Sequence, residues 1–491
     1  MHEHYRNIQP EVKAWHSVRN VLTNHFSFIY FFTETKKFYQ MNAQILPFPT
    51  GGPASVASPI AHYLRIGEAH RKLADLHAVG RLPAGRAVFD ASRLRHQREL
   101  LRALRDNGTE IVLDTEVAEL GANAKFRGHC RAAPWAVPDA QETLGPHHFS
   151  KSEIKSLARS IASFAVENRI DTVLSPSHYL SDPTYSDWLE IDHKLCLGLR
   201  EELDVAGGEH ISLDYPIIVS DTDLGDSQFR GSVVANVSDL PVNNIWIRAS
   251  GMGSDVGPLK LKRYLSKTSA LHNLGKPIIA DYLGELVGCA SVAFGTISGF
   301  AHGIAERERF DAGSWHKPPV ERDEDAKFSR AVRIWLTGAN RSATINELKL
   351  LERARGGRRL VSCGDKKCCP HGFDDMVGDP RRHAAYQSFN QVLDLEVVPD
   401  LRRRQHFLDG HMSTASRTAR QLAKLRLSPV DAAALDVDYE SLMKRLLAHS
   451  MRMEKVQRTL ETLHEMLPDE APRARTVARQ VNVDPKKENR K

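Results

Sequence analysis

The sequence predicts an α/β fold: a (β/α)8 TIM-like barrel with a C-terminal zinc-binding segment and a basic helical region. Three observations predict it. Short apolar, β-rich runs alternate with helical stretches over roughly 250 residues, the usual span of such a barrel. Several of the runs are continuously apolar, as strands covered on both faces are. A dense group of cysteines and histidines, Cys363, Cys368, Cys369, His371 and His383, follows the last run. A doubly wound open sheet is the alternative, because counting strands does not reveal closure.

The 491 residues, 41% hydrophobic and 26% charged, are enough for one large domain with appendages or for two or three domains. The formal net charge of +6 is a mild basic excess that leans toward polyanionic partners. Six cysteines, three of them clustered beside histidines, are not a distributed disulfide framework and imply a reducing cytoplasm. The apolar run at 26–32 is too short for a membrane span and lacks a cleavage pattern, so no membrane association is expected.

Residues 1–40 are rich in His, Tyr, Phe and Asn and read as an N-terminal extension, with Met41 a candidate natural start; a short helix packed on the core is the alternative. Residues 41–84, including the Pro/Gly/Ser-rich stretch 47–59, read as a helical or linker segment. The barrel is expected over 85–358, with strands at 87–91, 110–115, 172–175, 211–219, 244–249, 277–282, 291–297 and 332–336. Helices are expected at 96–107, 151–168, 188–203 and 259–274, and a further one at 345–355 leads through the short run 359–362 into Cys363. The zinc-binding segment covers 359–395 and the basic helical region 396–491, with a solvated tail at 485–491.

In a barrel the working side chains close the C-terminal ends of strands. Those residues are Asp90 with Arg93, Asp114 with Glu116, Ser177 with His178, Asp221 with Asp223, Arg248 with Ser250, Asp281, Ser298 with His302, and Thr337 with Asn340. Asp114 and Asp281 each end an apolar run and are the acid/base and nucleophile candidates, with His302, in a glycine-flanked turn, assisting. Asp90, His178, Arg248 and Ser250 are the substrate-binding candidates. Helix capping equally explains Asp223 or Asp226. The turn 249–257 carries three glycines but matches neither a dinucleotide fingerprint nor a P-loop.

Thiolate and imidazole at the density of 363–383 are zinc-ligand chemistry. Cys363, Cys368 and His383 have the best placement for a tetrahedral site, and Cys369 and His371 compete for the fourth position. A structural zinc stapling a loop-rich segment to the scaffold fits this chemistry better than a catalytic one.

A barrel followed by Cys363, Cys368, Cys369 and His383 and a basic helical region resembles the tRNA-guanine transglycosylase superfamily, including the relatives that insert 7-deazaguanine bases into DNA. The resemblance spans about 85–395. It implies base exchange: a carboxylate attacks the anomeric carbon of the sugar, expels guanine, and holds a covalent intermediate until a deazapurine replaces it. Asp114 then stands at the family's base-recognising aspartate. Thr115-Glu116-Val117 replaces the family's serine-glycine run, and 292–295 lacks its Phe-Asp-Cys strand, so Asp281 one strand earlier is the nucleophile candidate, with Asp114 the alternative. The implied partners are DNA or tRNA and a deazapurine base, gripped by the basic stretch 402–426; auxiliary protein subunits and a homodimer are compatible with it. Two other functions compete: a metal-dependent barrel hydrolase or lyase acting on a small molecule, and a non-catalytic, zinc-stapled nucleic-acid-binding subunit.

Overall fold

Eight parallel strands pair in chain order and close on themselves: β1 (Ala61–Arg65), β2 (Arg86–Asp90), β3 (Glu110–Asp114), β4 (Thr172–Leu174), β5 (Ser212–Ser220), β6 (Asn244–Ser250), β7 (Ile278–Asp281) and β8 (Gly299–His302). Closure is made by β1 on β8, with Ala61 opposite Gly299, and by β4 on β5. In this computed structural model the described residues are 57–122, 132–136, 144–180, 184–304, 309–315, 332–468 and 473–478. The expected N-terminal extension, Met41 and the terminal tail lie outside them.

Six of the expected strands are barrel strands, and two expectations are corrected. The segment 291–297 is the end of α7 (Glu285–Ala293) and the turn that follows it, and residues 286–293 of that helix are buried on every side. A helix covered all round shows no 3.6-residue stripe and reads as a strand. The eighth strand is instead the expected turn at 299–302, and the run at 332–336 forms β9 (Arg333–Leu336), paired antiparallel with β10 (Arg341–Thr344) outside the barrel. The first strand, β1, lies in the stretch expected to be linker, so the barrel strands span 61–302 and not 85–358. Gly299 is required where β8 meets β1, since a Cβ there would fall 1.9 Å from the Ala61 carbonyl oxygen.

Helices α1 (His70–Ala78), α2 (Arg98–Asp106), α3 (Lys151–Glu167), α4 (Tyr185–Val205), α5 (Ser227–Val237), α6 (Pro258–Thr268) and α7 cover the strands. Ser150 and Glu153 form a capping box on α3, and Asp226 accepts from the Phe229 N–H to cap α5, so capping is the role of that aspartate. Beyond β10 come α8 (Ile345–Arg353), α9 (Gly357–Val361), which takes up most of the short run expected at 359–362, and α10 (Phe373–Gly378). Next, α11 (Pro380–Glu396) packs against both α1 and α7 and so takes the eighth helical position of the barrel. Then α12 (Asp400–Phe407), α13 (Ser413–Ala423), α14 (Pro429–Ala434) and α15 (Tyr439–Met466) complete the C-terminal region.

Inward positions alternate along each strand. Ala61, Tyr63, Val88, Val112, Leu174, Trp246, Ile279 and Ala301 fill the barrel interior together with Val477 from the C-terminal segment. The next inward position toward the mouth is Arg65 on β1, Asp90 on β2, Asp114 on β3, Arg248 on β6 and Asp281 on β7. A separate core joins β9, β10, α8, Cys368, Cys369 and part of α15. Among the described residues, no helix is long and apolar enough to cross a membrane.

Candidate active site and metal centre

The apolar interior ends in a layer of buried charge. Arg65 donates from Nε and Nη2 to the two oxygens of Asp281, each at 2.7 Å, from Nη2 to Asp114 Oδ2 at 2.7 Å, and from Nη1 to Asp90 Oδ1 at 3.2 Å. Arg248 donates from Nε to Asp281 Oδ2 at 2.7 Å and from Nη2 to Asp114 Oδ2 at 2.6 Å. The Asp114 and Asp281 side chains are at most 2% exposed. Charges so deep require such bidentate, hydrogen-bonded pairing, because unpaired they are strongly destabilising. The Tyr282 ring covers the Arg65 guanidinium at 4.0 Å and stacks on Phe310 with centroids 5.2 Å apart. Tyr282 itself has φ 56°, an uncommon conformation for an aromatic residue and one that clusters at ligand sites.

The carboxyl groups of the mouth divide into two protonation classes. Burial opposes ionisation of Asp114, but Arg248 and Arg65 outweigh it and hold the carboxyl at about 2. Burial lifts Asp90 to about 7, with Glu116 adding to the effect and Arg65 offsetting part of it. Burial, reinforced by the Asp114 charge, lifts Glu119 to about 8, and among the described residues its Oε2 has no hydrogen-bond partner. Glu119 lies in the short helix Val117–Leu120 after β3, launched by Glu116 at φ 53°, whose carboxylate accepts the Ser92 N–H at 2.9 Å. At neutral pH the mouth therefore holds an ionised carboxylate beside protonated or half-protonated ones.

His178, after β4, is buried between Phe149 and the Trp188 ring, on which it stacks at 3.8 Å. Asp192 on α4 accepts from its Nδ1 at 2.6 Å and from its backbone N–H at 2.8 Å. With Nδ1–H engaged, Nε2 carries the lone pair, and it has no partner among the described residues. Ser250 lies at the end of β6, where its hydroxyl accepts the Gly313 N–H at 3.0 Å and anchors the segment 309–315 over the mouth. The structure thus gathers Asp90, Asp114, Arg248 and Asp281 into one network, with Ser250 at the same end of the barrel.

It does not bring His302 there. His302 is at an outward position of β8 and faces α11: its Nε2 meets His62 Nε2 at 2.8 Å and the Ser388 hydroxyl at 2.7 Å, while Nδ1–H donates to the Gly303 carbonyl at 2.6 Å. The expected glycine-flanked turn is a barrel strand in which Ala301 points inward, so the neighbouring His302 points outward. Thr337 and Asn340 are also removed, since they sit in the turn between β9 and β10.

Arg65 was not among the sequence candidates, although it closes a largely apolar stretch, 60–64, broken only by His62, much as Arg248 closes 245–247. Its signal was hidden by the misread linker. Asp192 and Glu119 were also missed. Asp192 had a readable sign, a carboxylate on the stripe Trp188, Leu195 and Leu199 that α4 buries.

Beyond the barrel, Cys363, Cys368, Cys369 and His383 each offer a ligand atom, and these atoms lie within 4.8 Å of one another. His383 Nδ1 stands 3.4 Å from Cys368 Sγ and 3.6 Å from Cys369 Sγ. Its Nε2 donates to the Trp335 carbonyl of β9 at 3.1 Å, which fixes the tautomer that leaves Nδ1 free to ligate. Gln387 lies 3.6 Å from Cys363 Sγ. Cys369 takes the contested fourth position. His371 is excluded: its side chain is 79% exposed and pairs with Asp375 instead. Three thiols and an oriented imidazole fit a tetrahedral metal site.

The basic stretch is likewise divided. Arg403 and Arg404 are buried and spend their guanidinium groups on carbonyls of Leu395, Ser58, Val398, Leu467 and Pro468, so they do not meet a polymer. Arg417, Arg420, Lys424 and Arg426 are exposed.

No family model matches the chain, and no curated protein matches it. Among solved structures, a similarity is found to an endo-1,4-beta-xylanase of Penicillium canescens at 12% identity and a TM-score of 0.33, covering 49% of this chain and 82% of that one.

Proposed function

We propose that the barrel mouth breaks and remakes a glycosidic bond, exchanging a guanine-type base in DNA or tRNA for a 7-deazaguanine. The observation that supports it is the split among buried carboxyl groups at one mouth: Asp114 held at about 2, Asp90 at about 7 and Glu119 at about 8. Glycosidic exchange needs an ionised carboxylate to meet positive charge at the anomeric carbon and a protonated acid to release the base. In this reading an oxygen of Asp281 attacks the anomeric carbon, and the bond to the base nitrogen breaks with its electron pair going to the base. Glu119 or Asp90 protonates the departing ring. The incoming deazapurine then attacks the same carbon, gives its proton to that acid and frees Asp281. Arg65 and Arg248 hold the nucleophile in place through hydrogen bonds to both of its oxygens.

A polymer substrate needs phosphate contacts away from the mouth. On the barrel flank, Arg98, Arg102 and Arg105 of α2 and Arg169 after α3 line one groove with Glu167 and Asn168. The Cys3His cluster would hold zinc as a staple that ties α11 to β9 and takes no part in the reaction.

The test is incubation of the full chain with labelled guanine and either DNA or tRNA, alongside Asp281→Asn and Asp114→Asn. Label should enter one polymer, a protein–polymer adduct should survive denaturation, and both should vanish in Asp281→Asn. Absence of incorporation and of adduct with both polymers rejects base exchange. A hydrolase or lyase acting on a small molecule is the second reading, favoured by the unpartnered Nε2 of His178.

A further inference from the structure

We propose that Asp394, His406 and His411 form a second metal site, one for a divalent transition ion of the zinc and nickel class, independent of the thiol cluster and of the barrel mouth. Asp394 is in the last turn of α11. His406 Nε2 and His411 Nε2 meet the same oxygen of its carboxylate, at 2.7 and 2.8 Å. One ligand atom from each of the three residues lies within 4.8 Å of the others.

The backbone supplies a second observation. From α12 to α13 the chain is one continuous helix, interrupted at Leu408–Met412 by a π turn in which the Ser413 N–H reaches the Leu408 carbonyl. In a regular α-helix, residues five apart point about 140° away from each other. The wider turn adds a residue per winding and brings residues five apart nearly onto one face. That is the separation of His406 and His411, whose ring centroids stand 6.1 Å apart. Such π turns are less favourable than regular helix and concentrate at functional positions. Here the turn has one visible result, which is to place two imidazoles on one carboxylate.

Two imidazoles and one carboxylate are a donor set that suits Zn2+ or Ni2+, and not Ca2+ or Mg2+, which require oxygen ligands. Asp394 is 52% and His406 37% exposed at the side chain, so water can complete the shell, while His411, at 11%, is held by stacking on Phe407. A bound ion would clip the end of the eighth barrel helix to the π turn, which packs on α15. Metal ligation at Nε2 requires each ring to carry its proton at Nδ1, so the ion replaces the two hydrogen bonds to Asp394.

The full chain, purified without a histidine tag and with its thiol cluster left loaded, is titrated with Ni2+ by calorimetry, and the midpoint of thermal unfolding is followed with and without the ion. The wild type should bind one equivalent and gain thermal stability. His406→Gln and His411→Gln, each at a partly exposed position, should weaken binding about tenfold or more and lose the thermal gain. Absence of Ni2+ binding by the wild type, or wild-type binding by both variants, overturns the site.

Discussion

Asp114 and Asp281 stand on β3 and β7, on opposite sides of the barrel, yet accept hydrogen bonds from the same two guanidinium groups, Arg65 and Arg248. The four side chains form a bridge across the mouth in which each carboxylate touches both cations. Removing one member leaves buried charge without a partner.

Arg65→Met should therefore destabilise the protein by about 3–5 kcal/mol, the usual consequence of breaking a buried pair from one side. Arg65→Lys should recover only part of this, because an ammonium cannot span both Asp281 oxygens. Denaturant unfolding of the two variants checks it. A Lys variant between the Met variant and the wild type fits the bidentate role, and full rescue by Lys does not.

Stability should fall as pH rises across the neutral range. Asp90 and Glu119 have folded values, about 7 and about 8, above their ordinary carboxyl values of 3.8 and 4.5. Between the ordinary and folded values the native state binds more protons than the unfolded one, so stability is fullest below about pH 4 for these groups and lost by about pH 8. Asp114 acts oppositely: its depressed value gives stability that is present above its ordinary 3.8 and lost as pH falls toward 2. Glu119→Gln should flatten the neutral slope while leaving the acid limb intact, and denaturation midpoints measured from about pH 2 to 8 would show it. A wild-type slope unchanged in Glu119→Gln rejects the assignment.

On the proposed zinc staple at the thiol cluster, Cys368→Ser should abolish metal binding and reduce stability by an amount on the order of several kcal/mol, since ligation at such a site is coupled to folding. His371→Ala should change neither, because its ring lies outside the cluster. Metal content after gel filtration and thermal unfolding decide the matter: zinc retained by Cys368→Ser, or lost by His371→Ala, contradicts the ligand set.

Most of the barrel was legible because continuous apolar runs ended in charged residues, and that rule located Asp90, Asp114, Arg248 and Asp281. It failed where two local signals competed. The strand 61–65 follows a Pro/Gly/Ser-rich stretch and was lost to it, and Arg65 went with it. The helix at 285–293 is buried all round and read as a strand, which displaced the eighth strand and put His302 on the wrong face. Neither the network geometry nor the π turn at 408–412 has a sequence period, since both depend on elements far apart in the chain. The grouping of Cys363, Cys368 and His383 was legible, but its fourth member was not, because spacing alone does not say whether Cys369 or His371 turns inward.

The His178 and Asp192 pair gives the sharpest separation of chemistry from stability. Asp192 holds Nδ1–H, which leaves Nε2 as a base. Asp192→Asn keeps the shape but replaces the acceptor with an amide able to donate, which favours the tautomer with the proton on Nε2. If His178 accepts a proton during turnover, kcat should fall by about 10²–10⁴ with KM little changed. His178→Gln should fall as far, and the double variant no further, because the two residues act as one unit. Steady-state kinetics on the reaction the barrel is found to turn over, with unfolding curves to confirm that each variant is folded, would settle it. A folded His178→Gln with wild-type kcat would show that the buried imidazole only fills the space beside Trp188.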